Sequence, residues 1–550
     1  MSPADVPQGT AAEAADPAHA RPGSSRLARS AGLIGIATML SRVLGLARDM
    51  VYAWLFGAGD QMDAFNVAFR IPNLVRDLFA EGAMTAAFVP TFTRYLTLRG
   101  KPEAWRLGSL VLSTLILATS LVAALGVLFA GPLTAAFARE YASVPGKLEL
   151  TTELTRMMFP FLVLVAVAVA CMGMLNSLRH FFVPALSPAM FNVGAIVGAL
   201  AFVPLMPRVG LHPAAGLALG TLLGGLLQAV IQWPSLHREG FRFRPMLDLR
   251  DPGLREILIL MGPGTVGLAA VQVNQFVNTV LATGQGTGAV SWLNYAFRLM
   301  YLPIGLFGVS IATAAMPTIA AMAARGDRAG MRDTVSSGLR MMLMLNVPAT
   351  IGLIALATPI VSLIFERGNF TAADTPATAA ALMFYAPGLL GYSAVKIASP
   401  TFYALRDSRT PVMISGLSVA TNIVLNLTLV RVLGYRGLAL GTALSALLNA
   451  GFLLWLLRGR LGGLDGPRVL AALVKITVAS IAMAAASVGV HHGISAAWPG
   501  GGLVHHAAQL LTAILAGMLV LAIAARLLRI QEFDAAVKRV LERVKGRPQR

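Results

Sequence analysis

Fourteen apolar runs follow one another between residues 27 and 529, and no other feature limits the possible folds as strongly. They lie at about 27–55, 61–98, 105–138, 151–178, 183–206, 212–236, 254–283, 288–323, 337–365, 376–405, 410–433, 436–457, 467–490 and 503–529. A helix crosses a bilayer with about 20 predominantly apolar residues, so each run is long enough for one crossing. Composition agrees, with 56% of the 550 residues apolar and only 13% charged, where a soluble chain carries about 25% charged residues. The net charge of +19 would suggest nucleic acid in a soluble protein; here the basic residues sit between apolar runs and read as topology signals. No nucleic-acid partner is expected. The one cysteine, Cys171, excludes an intrachain disulfide and a Cys-based zinc site. The sequence therefore predicts an all-α polytopic membrane protein with about 14 transmembrane helices.

Residues 1–26, rich in Ala, Pro, Gly and Ser, predict a disordered cytoplasmic tail, without the layout of a cleavable signal peptide. Residues 531–550 form a basic cytoplasmic tail with Lys538, Arg539, Arg543, Lys545, Arg547 and Arg550. There Phe533, Val537, Val540, Leu541 and Val544 fall at helical spacing, as on a helix lying on the membrane surface. Loops after even-numbered runs carry most of the basic residues, among them Arg238, Arg242, Arg244, Arg325, Arg328 and Arg458. By the positive-inside rule both termini are then cytoplasmic, which requires an even number of crossings.

The chain also repeats itself. Ala68-Phe69-Arg70-Ile71 returns 228 positions later as Ala296-Phe297-Arg298-Leu299. Pro160, with Leu178-Arg179 and Pro184 after it, returns at an offset of 227 as Pro387, Leu405-Arg406 and Pro411. Gly216-Leu-Ala-Leu-Gly-Thr221 returns as Gly437-Leu-Ala-Leu-Gly-Thr442. Six runs intervene, so the repeat is parallel, and a site is expected where the halves meet. This divides the chain into an N-lobe at 27–238, a C-lobe at 254–458, and two appended helices at 467–530.

The first two runs hold Arg42, Arg48, Asp49, Asp63, Arg70, Arg76, Asp77 and Glu81, and Arg298 is the repeat mate of Arg70. A charge at mid-bilayer costs about 3 kcal/mol even on lenient scales and usually faces a cavity. Gly45, Gly57, Gly59 and Pro72 interrupt these runs, and irregular backbone at membrane depth lines protein or water. Two readings stand side by side. Arg48 with Asp49, and Arg76 with Asp77 or Glu81, fit ion pairs that lock helices together. The surplus of guanidiniums over carboxylates fits a chamber for an anionic head group, because arginine forms bidentate bonds to phosphate oxygens. Gly284–Gly288 reads as a turn, and His491-His492 and His505-His506 as surface pairs. Neither a Walker loop nor a Ser-His-Asp arrangement is recognisable, so neither an ATP-driven pump nor a hydrolase is supported.

The stretch from Ser41-Arg-Val-Leu-Gly-Leu-Ala-Arg-Asp49 through Phe56-Gly-Ala-Gly59, Asp63-Ala-Phe65 and Phe69-Arg-Ile-Pro-Asn-Leu-Val-Arg76 to Phe79-Ala-Glu-Gly-Ala83 and Ala87-Phe-Val-Pro90 strongly resembles the MurJ/MviN family. These are the lipid II flippases of the multidrug/oligosaccharidyl-lipid/polysaccharide exporter superfamily. The resemblance implies two six-helix lobes, with the last two helices forming a groove for the lipid tail. It implies outward movement of an undecaprenyl-pyrophosphate-linked sugar–peptide by alternating access, for cell-wall synthesis, in a bacterial inner membrane. The implied protein is a transporter without a cofactor, working as a monomer on lipid II among membrane lipids. Carried over by motif, the family's essential arginines fall on Arg42, Arg48, Arg76 and Arg298; Asp49, Asp63 and Glu81 match its acidic positions, and Arg70 a basic one. The chain departs from the family at Phe297, usually Asp, and at Tyr301, commonly an acid or amide. A sodium site known in some relatives maps to Asn278, Asn422, Asn426, Leu438 and Thr442. Both of its acids are amides here, so ion coupling by sodium is in question. The alternatives are a flippase for another prenyl-pyrophosphate glycan, a cation-coupled drug exporter, and a non-transporting scaffold or regulator of wall synthesis.

Overall fold

A computed structural model describes residues 23–77, 83–304, 309–500, 502–535 and 537, and among them only helices and their connections occur. The first half of the chain forms α1 (Gly23–Phe56), α2 (Asp60–Arg76), α3 (Ala83–Leu98), α4 (Gly100–Leu128) and α5 (Ala130–Ala138). It continues with α6 (Lys147–Met158), α7 (Phe161–Ser177), α8 (Phe182–Phe202), α9 (Ala215–Val230) and α10 (Trp233–Arg238). The second half forms α11 (Pro252–Thr283), α12 (Ala289–Pro303), α13 (Val309–Ala324), α14 (Arg328–Ala355) and α15 (Ala357–Phe365). It ends with α16 (Asp374–Tyr385), α17 (Gly388–Ala404), α18 (Arg409–Leu433) and α19 (Tyr435–Leu461), followed by α20 (Gly466–Ala497) and α21 (Leu503–Leu527).

Among the described residues all fourteen apolar runs are largely helical, several as two helices in tandem. Ten helical segments among the described residues are long and apolar enough to cross a membrane. The four runs outside that set contain α1, α2 with α3, α11, and α12 with α13. Helices α2, α3, α12 and α13 are only 15 to 17 residues long, and α1, α2, α11 and α12 carry the arginines, aspartates and amides of the interior. Helix α1 begins at Gly23, inside the stretch expected to be a tail; residues 1–22, Glu81, and the basic residues at 538–550 lie outside the described residues.

The internal repeat is visible in the backbone. Pro160 and Pro387 stand at the N-caps of α7 and α17, where each breaks a crossing into two helices. Arg179 and Arg406 then adopt positive φ, 63° and 59°. His180 N–H donates to the Leu175 carbonyl and Asp407 N–H to that of Phe402, both at 2.9 Å. These are two copies of one helix-ending motif. Gly216 and Gly437 serve the next helix pair: a Cβ would lie 2.5 Å from Val203 N in the first copy and 2.3 Å from the Leu429 carbonyl oxygen in the second.

Three apolar cores set the shape. One, containing Tyr52, Phe56, Phe65, Tyr295, Phe365 and Phe370, joins both halves near the α1–α2 turn. The other two are separate: Phe88, Phe92 and Leu107 centre one in the first half, Val335, Phe402 and Leu453 the other in the second. Both lie toward the end that holds the first residues of α1 and the last of α21. The halves are thus fused at the distal end; at the terminal end their cores are separate, except that Leu254 and Ile257 at the start of α11 pack into the first-half core.

The distal end is tied by polar contacts as well. Asp63 of α2 is wholly buried and accepts from Gly288 N (2.7 Å), Ser291 N (3.0 Å) and Ser291 Oγ (2.7 Å) at the start of α12. Lys147, only 3% exposed, donates to Asp63 (3.1 Å) and Asp60 (2.7 Å). Asn369 N–H donates to the Trp54 carbonyl at 3.0 Å, and the Tyr295 hydroxyl donates to the Gly57 carbonyl at 3.0 Å.

Candidate functional site

Helices α1, α2 and α12 converge on a cavity of about 270 Å³ at the meeting of the halves. Arg48, Asp49, Arg70 and Arg298 line it together with Asn66 and Asn73. Asp49 is the hub. Its Oδ1 accepts from Arg48 Nε (3.0 Å) and Nη2 (2.7 Å), and its Oδ2 accepts from Arg298 Nε at 2.7 Å. One carboxylate thereby aligns a guanidinium from each half of the chain. Arg70 makes no hydrogen bond or ion pair among the described residues. Three guanidiniums face one carboxylate, so the cavity carries an excess of two positive charges. Arg298 keeps its side chain 45% exposed while Arg48 keeps 13%; the second-half arginine is the one more open to the interior. Such an arrangement has the chemistry to accept a multiply charged oxyanion, whose oxygens can take up donors that Asp49 only partly satisfies.

The other predicted residues are placed differently. Arg42 lies outside the cavity lining, its guanidinium 5.8 Å from the Tyr301 ring centroid. Arg76 pairs with the adjacent Asp77, Nη2 to Oδ1 at 2.6 Å, and does not line the cavity. Asp63 belongs to the distal closure, not to the cavity. Phe297 and Tyr301, the departures from the family pattern, stack on one another at 5.6 Å, and Phe297 meets Tyr385 edge-on at 5.4 Å.

Sequence reasoning missed Lys147 and, apart from the sodium-site positions, the amides. Lys147 sits at the very start of its helix, just outside the apolar run at 151–178; a lone lysine on the distal, basic-poor side was the available signal. In α11, Asn274 and Asn278, and Gln275 and Thr279, are four apart and share a helix face. Together with Asn66, Arg70 and Asn294 they line a second cavity of about 200 Å³. It opens from the first, with which it shares Asn66, Arg70, Asn294 and Phe297.

The sodium-site positions do come together, but as an amide network. Asn426 Nδ2 donates to Asn278 Oδ1 at 2.6 Å and to Asn422 Oδ1 at 3.1 Å, while Thr442 Oγ1 donates to the Leu438 carbonyl at 2.8 Å. An N–H₂ group thus occupies the centre of the acceptors, and no carboxylate is among the five. Asn426 Oδ1 is buried without a partner beside them, so the five positions offer neutral oxygens but no charge to offset that of a cation.

A third cavity, about 420 Å³ and almost wholly apolar, lies along α14, α20 and α21. Met344, Pro348, Leu353, Met483, Ile514 and Met518 line it, and Phe533 from the segment after α21 also reaches it. Arg340 of α14 anchors that segment by donating to Glu532 at 2.6 Å.

A two-fold repeated bundle of membrane helices, with a charged cavity between its halves, has the architecture of a multi-pass membrane transporter. A solved inward-facing transporter of the multidrug MATE family superposes with a TM-score of 0.64 at 16% identity, covering 78% of this chain and 96% of that one, a likeness of fold. The family model described as lipid II flippase MurJ matches residues 52–523, and the chain belongs to that family. A probable lipid II flippase MurJ of Vibrio cholerae is 37% identical over 437 residues, 78% of this chain and 82% of the relative. The lipid II flippase MurJ of Burkholderia cenocepacia is 35% identical over 452 residues, 81% and 87% of the two chains. A solved lipid II flippase MurJ in an inward closed conformation superposes with a TM-score of 0.72 at 26% identity, covering 90% of this chain and 99% of that one.

Proposed function

We propose that this chain flips lipid II across the bacterial inner membrane, with Arg48, Arg70 and Arg298 holding the pyrophosphate. The observation that carries this reading is the single carboxylate, Asp49, shared by an arginine from each half. In the resting cavity Asp49 holds both guanidiniums apart from one another and pre-aimed. An entering pyrophosphate competes for their remaining donors and neutralises the unpaired Arg70. The cost of keeping surplus positive charge in a poorly hydrated interior then falls, which favours closure around the head group.

The prenyl tail stays in the apolar groove along α14, α20 and α21, where Ser487 is the one polar side chain in the lining. The terminal end faces the cytoplasm, supported by the arginine-rich connections at that end; both termini lie there, and the protein acts as a monomer. Loading occurs from that end, where the halves have separate cores, and release requires the Asp63–Ser291 and Lys147 contacts at the distal end to part. With amides at the sodium-site positions, the cycle draws on the membrane potential rather than on sodium bound there.

The test is lipid II translocation in cells depleted of their own flippase and supplied with this chain, read by an external probe of outer-leaflet lipid II. Wild type is expected to restore the signal. Arg298→Ala and Arg48→Ala are expected to insert normally and abolish it. An active Arg298→Ala variant refutes the arginine site. Replacing sodium by potassium is expected to leave translocation unchanged; a sodium requirement would contradict the potential-driven cycle.

A further inference from the structure

The second cavity has a chemistry unlike the first. Its only charged lining residue is Arg70; the remaining polar lining is amide, hydroxyl and phenol. Much of that capacity is unused. Among the described residues, the side chains of Asn274 and Gln275 and the hydroxyls of Tyr385 and Tyr392 have no hydrogen-bond partner, and Asn274 Oδ1 is buried in that condition. A buried polar atom without a partner costs about 1–3 kcal/mol; Asn274 Oδ1 is one such atom, and with Gln275, Tyr385 and Tyr392 also unpartnered around the cavity the wall offers a ligand several free hydrogen-bonding groups.

The ligand is uncharged and bears both donors and acceptors. No carboxylate stands in the wall to offset the charge of a cation, and Arg70 repels one. Anions are served by the guanidiniums next door. Amide side chains offer an acceptor and two donors on one group and so match hydroxyl and acetamido groups. Phe297, Tyr385 and Tyr392 meet edge to face, at 5.4 Å and 6.5 Å from the Phe297 centroid, and supply an apolar wall for a C–H face. The position is equally restrictive: the cavity begins at Arg70, so its occupant is joined closely to whatever the arginines hold.

We propose that the amide cavity is the subsite for an N-acetylated sugar directly attached to the pyrophosphate. Asn274, Gln275, Tyr385 and Tyr392 read its hydroxyl and acetamido groups, and Phe297 faces its ring. The subsite rests on the flippase reading above and adds to it the element that selects the head group. A site built to hydrogen-bond a ligand rejects one that lacks the matching groups far more strongly than an apolar pocket can.

The experiment is binding by the purified full chain in detergent micelles of three lipids: undecaprenyl pyrophosphate, the same lipid carrying the N-acetylated disaccharide, and lipid II with its peptide. Wild type is expected to prefer the two sugar-bearing lipids. Asn274→Leu is expected to lose about tenfold in affinity for both of them and nothing for undecaprenyl pyrophosphate. Tyr392→Phe, which keeps the ring, is expected to show a smaller loss with the same selectivity. Arg298→Ala weakens all three. If Asn274→Leu and Tyr392→Phe leave the preference intact, or weaken all three lipids alike, the subsite is refuted while the flippase reading stands. A loss seen only when the peptide is present assigns the cavity to peptide and overturns the sugar. A wild-type chain that binds none of the three overturns the flippase reading and the subsite with it.

Discussion

Two buried ionic centres do opposite jobs with similar residues. At Asp49 the carboxylate is outnumbered by guanidiniums and leaves charge to spare for a ligand. At Asp63 the carboxylate is saturated by Lys147, two backbone N–H groups and a hydroxyl, so nothing remains to bind a substrate. Removing one partner of a buried pair typically costs about 3–5 kcal/mol because the other charge is stranded. Lys147→Met is therefore expected to lower the thermal midpoint in detergent markedly, and adding Asp63→Asn to recover part of the loss. Full additivity of the two losses would show that the groups are not coupled. Gly57 is the backbone counterpart of this closure: its φ is +64°, and a Cβ would lie 2.2 Å from the Asn369 carbonyl oxygen. Gly57→Ala is expected to destabilise by at least about 1–2 kcal/mol, measured by the same thermal unfolding.

Among the helices, close approach and capping decide what the apolar pattern leaves open. Helices α8 and α9 touch backbone to backbone; a Cβ on Gly198 would come within 2.2 Å of Gly220 Cα. Small residues let membrane helices pack without a hydrophobic drive between them. Gly198→Leu is expected to prevent recovery of monodisperse protein, whereas Gly451→Leu, with open space around it, is expected to purify normally. The start of α11 is fixed by Asp251, which accepts from Gly253 N (2.8 Å), Leu254 N (3.1 Å) and Arg106 Nη2 (2.6 Å). Burial works against the Asp251 charge, but Arg106 and the two N–H groups outweigh it and hold the carboxyl below its ordinary value. Its contribution is therefore present at neutral pH and lost only as acidification passes that lowered value. Asp251→Ala is expected to cost about 1 kcal/mol or more at neutral pH.

For the molecule as a whole, the division of the apolar core sets which way the interior can open. A shared distal core and two separate terminal cores favour parting at the terminal end, with α11, whose start packs into the first-half core, as the link between the halves. Asp60 Oδ1 and Thr287 Oγ1, from opposite halves, are 2.7 Å apart at that closure. In a Cys171→Ala background, Asp60→Cys with Thr287→Cys is expected to form a disulfide that stops translocation and is reversed by reduction. Unchanged translocation in the oxidised protein would contradict release through the distal end.

The crossings, the repeat and the arginine-bearing helices were legible in the sequence because each leaves a local trace: run length, motif offset, charge within an apolar run. Pro160 and Pro387, or Arg179 and Arg406, are recognisable as pairs from residue order alone, since the repeated residues impose the same break and the same left-handed turn. The division of labour among the charges was not legible. Asp49 and Asp63 are 14 positions apart in equally apolar surroundings, and only tertiary packing gives one two arginines and the other a lysine and a helix start. Likewise Asn274 and Asn426 are both amides in membrane helices, yet one faces a cavity unpaired and the other donates across a network of its own kind. Sequence determined which helices bear polar groups, because the hydrophobic cost of each falls locally; which groups meet depends on contacts between residues 84 to 249 positions apart, and only the fold decides those.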